Sequence, residues 1–279
     1  TEEHMGEVTV ITSGKGGVGK STATANLGAA LAAMNKKVIM LDTDAGLRNL
    51  DVVTGLQNNI VYNISDIFAG ACTLRQATVE DKSHKNLYML AASQTEDKTK
   101  SCESEMKKLC EELSALYDFV LIDCPAGIEQ GFKNAVSGAD RAIVVVTPDK
   151  ASVRDADRVL GLLEERDMKN LYILINKMNP KLVEKGALLG TDEIIETLAA
   201  DLLGVIPDDP KILINANCGK LVTGDKHARS AAAFENVAQR MLGISVPLTD
   251  LADDGSFRYK LRKKFSKKTP VSAGVKPFE

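Results

Sequence analysis

The sequence predicts a single α/β domain, a doubly wound, mostly parallel sheet flanked by helices, followed by a C-terminal amphipathic tail. Three observations carry this. Apolar runs recur along the chain without polar alternation, as strands covered on both faces require. Stretches with helical spacing separate them. Near the N-terminus a glycine-rich loop joins a β-branched run to an Ala/Leu-rich segment, so strand, turn and helix follow in that order. With 279 residues the chain can bury a substantial core, and no linker-like stretch interrupts the pattern before about Leu242. Residues 5–250 are therefore assigned to the domain, 256–268 to the tail helix, and 269–279, with Pro270, Gly274 and Pro277, to a disordered end. Residues 1–4, ahead of Met5, read as an expression scar.

Each element follows from local chemistry. Val8-Thr9-Val10-Ile11-Thr12 is a short β-branched strand. Lys20 to Met34 lacks proline, and Ala23 to Ala33 are good helix formers. Asn35-Lys36 gives a turn, and Val38 to Leu41 reads as a buried strand ending at Asp42-Thr43-Asp44. Further strands are expected at 87–90, 119–122, 142–146, 171–175 and 204–206. Met106, Leu109, Cys110, Leu113 and Leu116 keep helical spacing, as do Val159, Leu160, Leu162 and Leu163. In such a sheet the ligand sits at the carboxyl ends of the strands.

The loop between the first strand and helix, Ser13-Gly14-Lys15-Gly16-Gly17-Val18-Gly19-Lys20-Ser21-Thr22, fits G-x-x-x-x-G-K-[ST] on Gly14, Gly19, Lys20 and Ser21. Its backbone amides can wrap a polyphosphate while Lys20 neutralises the outer oxygens, and the helix presents its positive dipole end to the same anion. ATP or GTP with Mg2+ is the expected ligand. Gly14, Gly16 and Gly19 also satisfy the dinucleotide pattern G-x-G-x-x-G, with Asp42 at the next strand end. Lys20-Ser21 decides against that reading, because a pyrophosphate without terminal phosphate or metal has little use for an ammonium followed by a hydroxyl.

Four features should converge at the strand ends: this loop, Asp42 with Asp44, Asp123 and Asn176. Asp123 closes an apolar strand and suits a magnesium site in which Ser21 binds directly and the acid holds the metal's waters. Asp44 lies in a small-residue loop able to sense the terminal phosphate, where a carboxylate can orient the attacking water. Lys15 is the lysine that ordinary phosphate loops do not need. A cation turned outward from such a site invites a second subunit.

Composition narrows the alternatives. A net charge of −3 argues against a general nucleic-acid binder. The five cysteines, Cys72, Cys102, Cys110, Cys124 and Cys218, form no C-x-x-C, which argues for reduced thiols and against metal or iron–sulfur ligation. No apolar run approaches the ~18 residues of a membrane span.

The loop KGGVGKS resembles the deviant Walker A (MinD/ParA) family of P-loop ATPases. Asp44-Ala45-Gly46-Leu47-Arg48-Asn49-Leu50-Asp51, Asp123-Cys124-Pro125-Ala126-Gly127-Ile128-Glu129 and Ser152-Val153-Arg154-Asp155 are similar to its division-site branch. The similarity continues through residues 87–95 and 203–207, so it covers most of residues 6–243. The resemblance implies an ATP sandwich homodimer. Residues Gly14 to Thr22 would hold the nucleotide, with Lys15 reaching the partner's phosphates and Lys20 and Ser21 serving their own. Asp44 and Asp123 would occupy switch positions beside the metal, Asn176 and the Pro207 loop would flank adenine and favour ATP over GTP, and Arg154 and Asp155 would belong to the dimer or partner surface. A division inhibitor and an activator are the implied partners. Two departures stand out: Ser21 where threonine is frequent, and Cys124 where a small serine is usual. Neither removes a needed functional group.

The run 256–268 holds seven basic residues and no acid. Phe257, Leu261 and Phe265 recur every fourth position, flanked by Arg258, Lys260 and Lys264, which suits a helix lying in the surface of an anionic membrane. Three inserted side chains gain ~1.5–3 kcal/mol each at most, and ordering the helix consumes ~1–2 kcal/mol per residue, so one tail binds marginally. Two tails on one dimer multiply residence by ~10²–10⁴. The implied location is the cytoplasm and the inner face of the cell membrane, with attachment set by nucleotide state. The alternative functions are a ParA-like DNA-segregation ATPase whose tail tracks nucleoid DNA, and a flagellar-number regulator of the same family.

Overall fold

The computed structural model describes residues 5–44, 48–93, 102–249 and 251. Its elements run β1 (Glu7–Thr12), α1 (Lys20–Ala33), β2 (Val38–Asp42), α2 (Leu50–Thr54), α3 (Ile64–Phe68), α4 (Leu74–Ala77), β3 (Val79–Glu80), β4 (Leu87–Leu90), α5 (Glu103–Ser114), β5 (Phe119–Asp123), α6 (Gln130–Val136), β6 (Arg141–Val146), α7 (Lys150–Glu164), β7 (Asn170–Met178), α8 (Pro180–Glu184), α9 (Thr191–Leu198), β8 (Asp201–Pro207), α10 (Pro210–Ala216) and α11 (Arg229–Met241). The strands form one sheet in the order β3-β4-β2-β5-β1-β6-β7-β8. All neighbours are parallel except β3 against β4. The tail helix expected at 256–268, with Phe257, Lys260, Leu261, Lys264 and Phe265, lies outside the described residues, as do residues 1–4 and the end at 269–279.

The seven strands expected from the sequence are present. Strand β2 explains why they read as unbroken apolar runs: Val38 and Met40 enter the core on one face, Ile39 and Leu41 the core on the other. The period of two survives, but both faces are buried. Helix α1 is similarly enclosed, buried continuously from Ala23 to Ala32, and packs on β2 and α11. A helix so covered needs no polar face. Its one buried amide is used: Asn26 Oδ1 accepts the Val222 N–H at 2.9 Å, tying the segment before α11 to α1.

One stripe is shorter than expected. Met106, Leu109, Cys110 and Leu113 point inward from α5, but the helix ends at Ser114 and Leu116 is 53% exposed beyond it. In α7, Val159, Leu160 and Leu163 are buried and Leu162 is half-buried.

The topology fixes where a ligand can enter. Strand β1 pairs with β5 on one side and β6 on the other, so the winding direction reverses there and a crevice opens at the carboxyl ends. The register sets Asp123 opposite both Ile11 and Asp42.

Candidate nucleotide site

Residues 13–19 close the turn from β1 into α1. Glycine at 14 is dictated by packing, since a Cβ there would lie 2.3 Å from the Asp155 carbonyl oxygen of α7. Gly19 has φ 96°, and its Cβ would lie 2.4 Å from Asn176 Nδ2. Val18 buries its side chain in the core and anchors the loop, while Gly16 and Gly17 are exposed at its tip. Lys20 is 9% exposed. Its ammonium donates to Ser13 Oγ at 3.0 Å, and that hydroxyl donates to the Lys15 carbonyl at 2.8 Å. Ser13 thus holds the Lys20 ammonium in place, a task its position in the motif did not announce.

Three acids meet beside the loop. Asp42 is 1% exposed and bridges the ends of the 44–50 segment, its Oδ1 accepting the Asp44 N–H at 2.9 Å and its Oδ2 the Leu50 N–H at 3.2 Å. Burial pushes its carboxyl up to about 6, against those two amides. Asp123 is also 1% exposed, and burial, with Asp42 adding to it, pushes it up to about 8. Ser21 donates a hydrogen bond to this carboxylate, yet its Oδ1 is buried with no partner. Asp44 is half-buried, and burial raises its carboxyl despite the charge of Lys20. A hydroxyl, a buried acid with an orphaned oxygen and a neighbouring carboxylate form an all-oxygen donor set, which fits Mg2+. Cys124, next in sequence, is fully buried, and burial pushes its thiol up to about 12, so it is an inert filler rather than a nucleophile.

Strand β7 reaches the loop from the far side. Asn176 is 3% exposed, and its Nδ2 donates to the Val18 carbonyl at 2.8 Å while its Oδ1 accepts the Lys177 N–H at 2.9 Å. Pro207 ends β8 as a buried residue opposite Met178. The structure therefore brings Gly14 to Thr22, Asp44, Asp123 and Asn176 into one locus, with the Pro207 loop beside β7.

Lys15 leaves the loop for α7. Its ammonium pairs with Asp149 Oδ1 at 3.1 Å, with side chains 37% and 40% exposed. Asp149 is itself held, accepting the Ser152 N–H at 2.9 Å as the helix cap and the Thr147 hydroxyl at 2.6 Å. These bonds together hold its carboxyl below the usual range in spite of burial. Arg154 is the exposed residue of the next turn, its side chain 81% exposed and 3.6 Å from Asp155. The Asp155 backbone instead packs against Gly14. The Lys15–Asp149 pair joins residues 134 apart and has no local signature.

The chain is similar to known proteins along most of its length. The AAA domain family matches residues 6–178. Over 251 residues the chain is 49% identical to the septum site-determining protein MinD of Bacillus subtilis strain 168, covering 89% of this chain and 94% of that protein. Among solved structures, the MinC:MinD cell division protein complex of Aquifex aeolicus superposes with a TM-score of 0.82 at 43% identity, covering 88% of this chain and 99% of that one. MinD complexed with Mg-ADP from Pyrococcus horikoshii OT3 gives 0.76 at 29% identity, covering 84% and 95%.

Proposed function

Because the chain belongs to the MinD family of septum site-determining P-loop ATPases, we propose that it is a Mg2+-dependent ATPase that dimerises on ATP and attaches reversibly to the inner face of the cytoplasmic membrane. The observation that supports this most is the Lys15–Asp149 pair. An exposed ion pair of this kind is worth ~0–1 kcal/mol. The lysine is therefore parked, neutralised and easily released. A partner subunit's nucleotide offers it several anionic oxygens, and stabilising the transferring phosphoryl group in trans is worth ~10³ or more in rate. Turnover of the lone subunit is slow on this reading, because the catalytic set is divided between two chains.

Within one subunit the division of labour follows from position. Lys20 and the loop amides hold the phosphates. Asp44 orients the attacking water, and Asn176 and the Pro207 loop flank adenine. Ser21, Asp123 and Asp44 would hold Mg2+, which supplies charge neutralisation on the phosphate oxygens. The tail at 256–268 supplies one weak lipid anchor per subunit, and pairing makes the second insertion intramolecular. A MinC-like inhibitor is the partner favoured by the Aquifex aeolicus complex, a MinE-like activator follows from the family, and exposed Arg154 on α7 is a surface for either.

Two measurements test this. Lys15→Ala should lower ATP hydrolysis ~10³-fold and leave light scattering with ATP at monomer mass, while ADP affinity stays within about threefold. Normal hydrolysis by this variant overturns the trans role. In liposome sedimentation, wild type should pellet with ATP and not with ADP, and Phe257→Glu/Phe265→Glu should stay in the supernatant with both. Equal pelleting of the double variant would instead point to a purely electrostatic tail.

A further inference from the structure

Beyond these roles, we infer that Lys177 is a positioning residue for nucleotide binding, its ammonium holding the phosphate loop from outside so that the loop amides face the phosphates. Lys177 Nζ donates to the Gly17 carbonyl at 2.7 Å, next to the bond from Asn176 Nδ2 to the Val18 carbonyl at 2.8 Å. In a trans peptide the C=O and the following N–H point in opposite directions. Drawing the Gly17 and Val18 carbonyls outward therefore turns the Val18 and Gly19 N–H groups to the other side, into the concavity. Gly17 and Gly19 have φ of 78° and 96°, the kind of irregular backbone in which successive amides converge on one anion.

The backbone of Lys177 is bent to reach this contact. Its φ is 55°, in the left-handed region that a lysine rarely adopts. The distortion sits where the β7·β8 register shifts between Ile175 and Met178. Strain of this sort persists where the surroundings use it. Here it sends two consecutive residues of one strand onto two consecutive carbonyls of the loop, and the Lys177 N–H fixes the Asn176 amide in its donating orientation. A charge-assisted bond to a carbonyl also makes the attached N–H a stronger donor. Ordinary sequence patterns give no warning, because the lysine lies 160 residues from its acceptor.

The inference rests on the nucleotide reading above, and the test separates the two. Lys177→Met should bind fluorescent ADP with Mg2+ at least ~10-fold more weakly than wild type, raise KM for ATP alike, and leave kcat at saturating ATP within about twofold. Lys177→Arg should recover most of the affinity. Because the side chain is exposed, the melting temperature of ligand-free Lys177→Met should be unchanged. Lys177→Gly relieves the backbone and should melt a few degrees higher while binding ADP as poorly as the Met variant. Hydrogen exchange at the Val18 and Gly19 amides should accelerate in the ligand-free Met variant. Wild-type ADP affinity in Lys177→Met overturns the inference. So does weakened affinity with unchanged exchange at Val18 and Gly19, which would make Lys177 a direct nucleotide contact. Failure of the wild type to bind ADP overturns the nucleotide reading and this inference with it.

Discussion

The facing acids that close β2 and β5 are held differently from acids at the amino ends of the sheet. Four acids at the amino ends are partnered. Asp81, 4% exposed, bonds His84 Nδ1 at 2.8 Å and accepts the Ser83 N–H at 2.7 Å. Asp118 takes the Lys37 N–H at 2.7 Å, Asp140 takes the Val8 N–H at 3.0 Å, and Glu7, though burial raises its carboxyl, pairs with Arg141. At the carboxyl ends, Asp42 and Asp123 stand opposite one another in register, and Asp123 keeps a buried oxygen without a partner. The first arrangement stabilises the native chain at Asp81, whose carboxyl its partners hold down. The second leaves a buried acceptor that a positively charged ligand would complete.

Replacing Asp123 is the strongest way to break this comparison. Asp123→Asn should reduce hydrolysis roughly 10–100-fold or more through weakened metal binding, yet stabilise the ligand-free protein. The sign follows from the direction of the shift. A carboxyl raised to about 8 in the fold holds its proton there, while the unfolded chain releases it near 3.8. Its contribution is fully present below 3.8 and is lost as pH rises through about 8. The ligand-free wild type should therefore lose stability progressively as pH rises from 3.8 to about 8. The Asn variant, which keeps an acceptor for Ser21 and carries no charge, should show a flatter profile and gain ~1–3 kcal/mol at the alkaline end. Urea unfolding at several pH values measures both. A ligand-free Asn variant less stable than wild type at pH 9 would mean that this end is not built at the expense of stability.

Much of this contrast was legible in the sequence. Asp42 and Asp123 each terminate an unbroken apolar run, and that pattern alone places them at the carboxyl ends of parallel strands. Gly14, Gly19, Lys20 and Ser21 fall in one short phosphate-loop motif. The pairs that complete the site were not legible, because they join distant segments. Lys15 to Asp149 and Lys177 to Gly17 depend on how α7 and β7 are laid against the loop, which local periodicity does not encode. Asn176 was expected beside adenine, and the fold gives it a bond to Val18 whose acceptor is a backbone atom that no motif marks. The amino-end pairs were equally hidden. Strand β3 has two residues, too few for any alternation to register, and Leu116 continued a stripe that the chain leaves after Ser114.

The smaller prediction sharpens the comparison from the other end. Burial alone would raise Asp81, but the His84 ring and the Ser83 and His84 amides outweigh it and hold the carboxyl below its usual range. An acid lowered in the fold contributes stability above its unfolded pKa and loses that contribution as pH falls through the folded value. His84→Gln keeps a hydrogen-bond donor but removes the coulombic interaction that helps to hold Asp81 down. It should cost ~1 kcal/mol and move the acid-unfolding midpoint to higher pH, while hydrolysis and ADP affinity stay at wild-type levels, because the pair lies at the opposite end of the sheet from the loop. Placed beside Asp123→Asn, which should gain stability and lose activity, this variant should lose stability and keep activity. If His84→Gln impaired nucleotide binding at constant stability, the two ends would be coupled through the sheet, and the separation of structural from functional acids would fail.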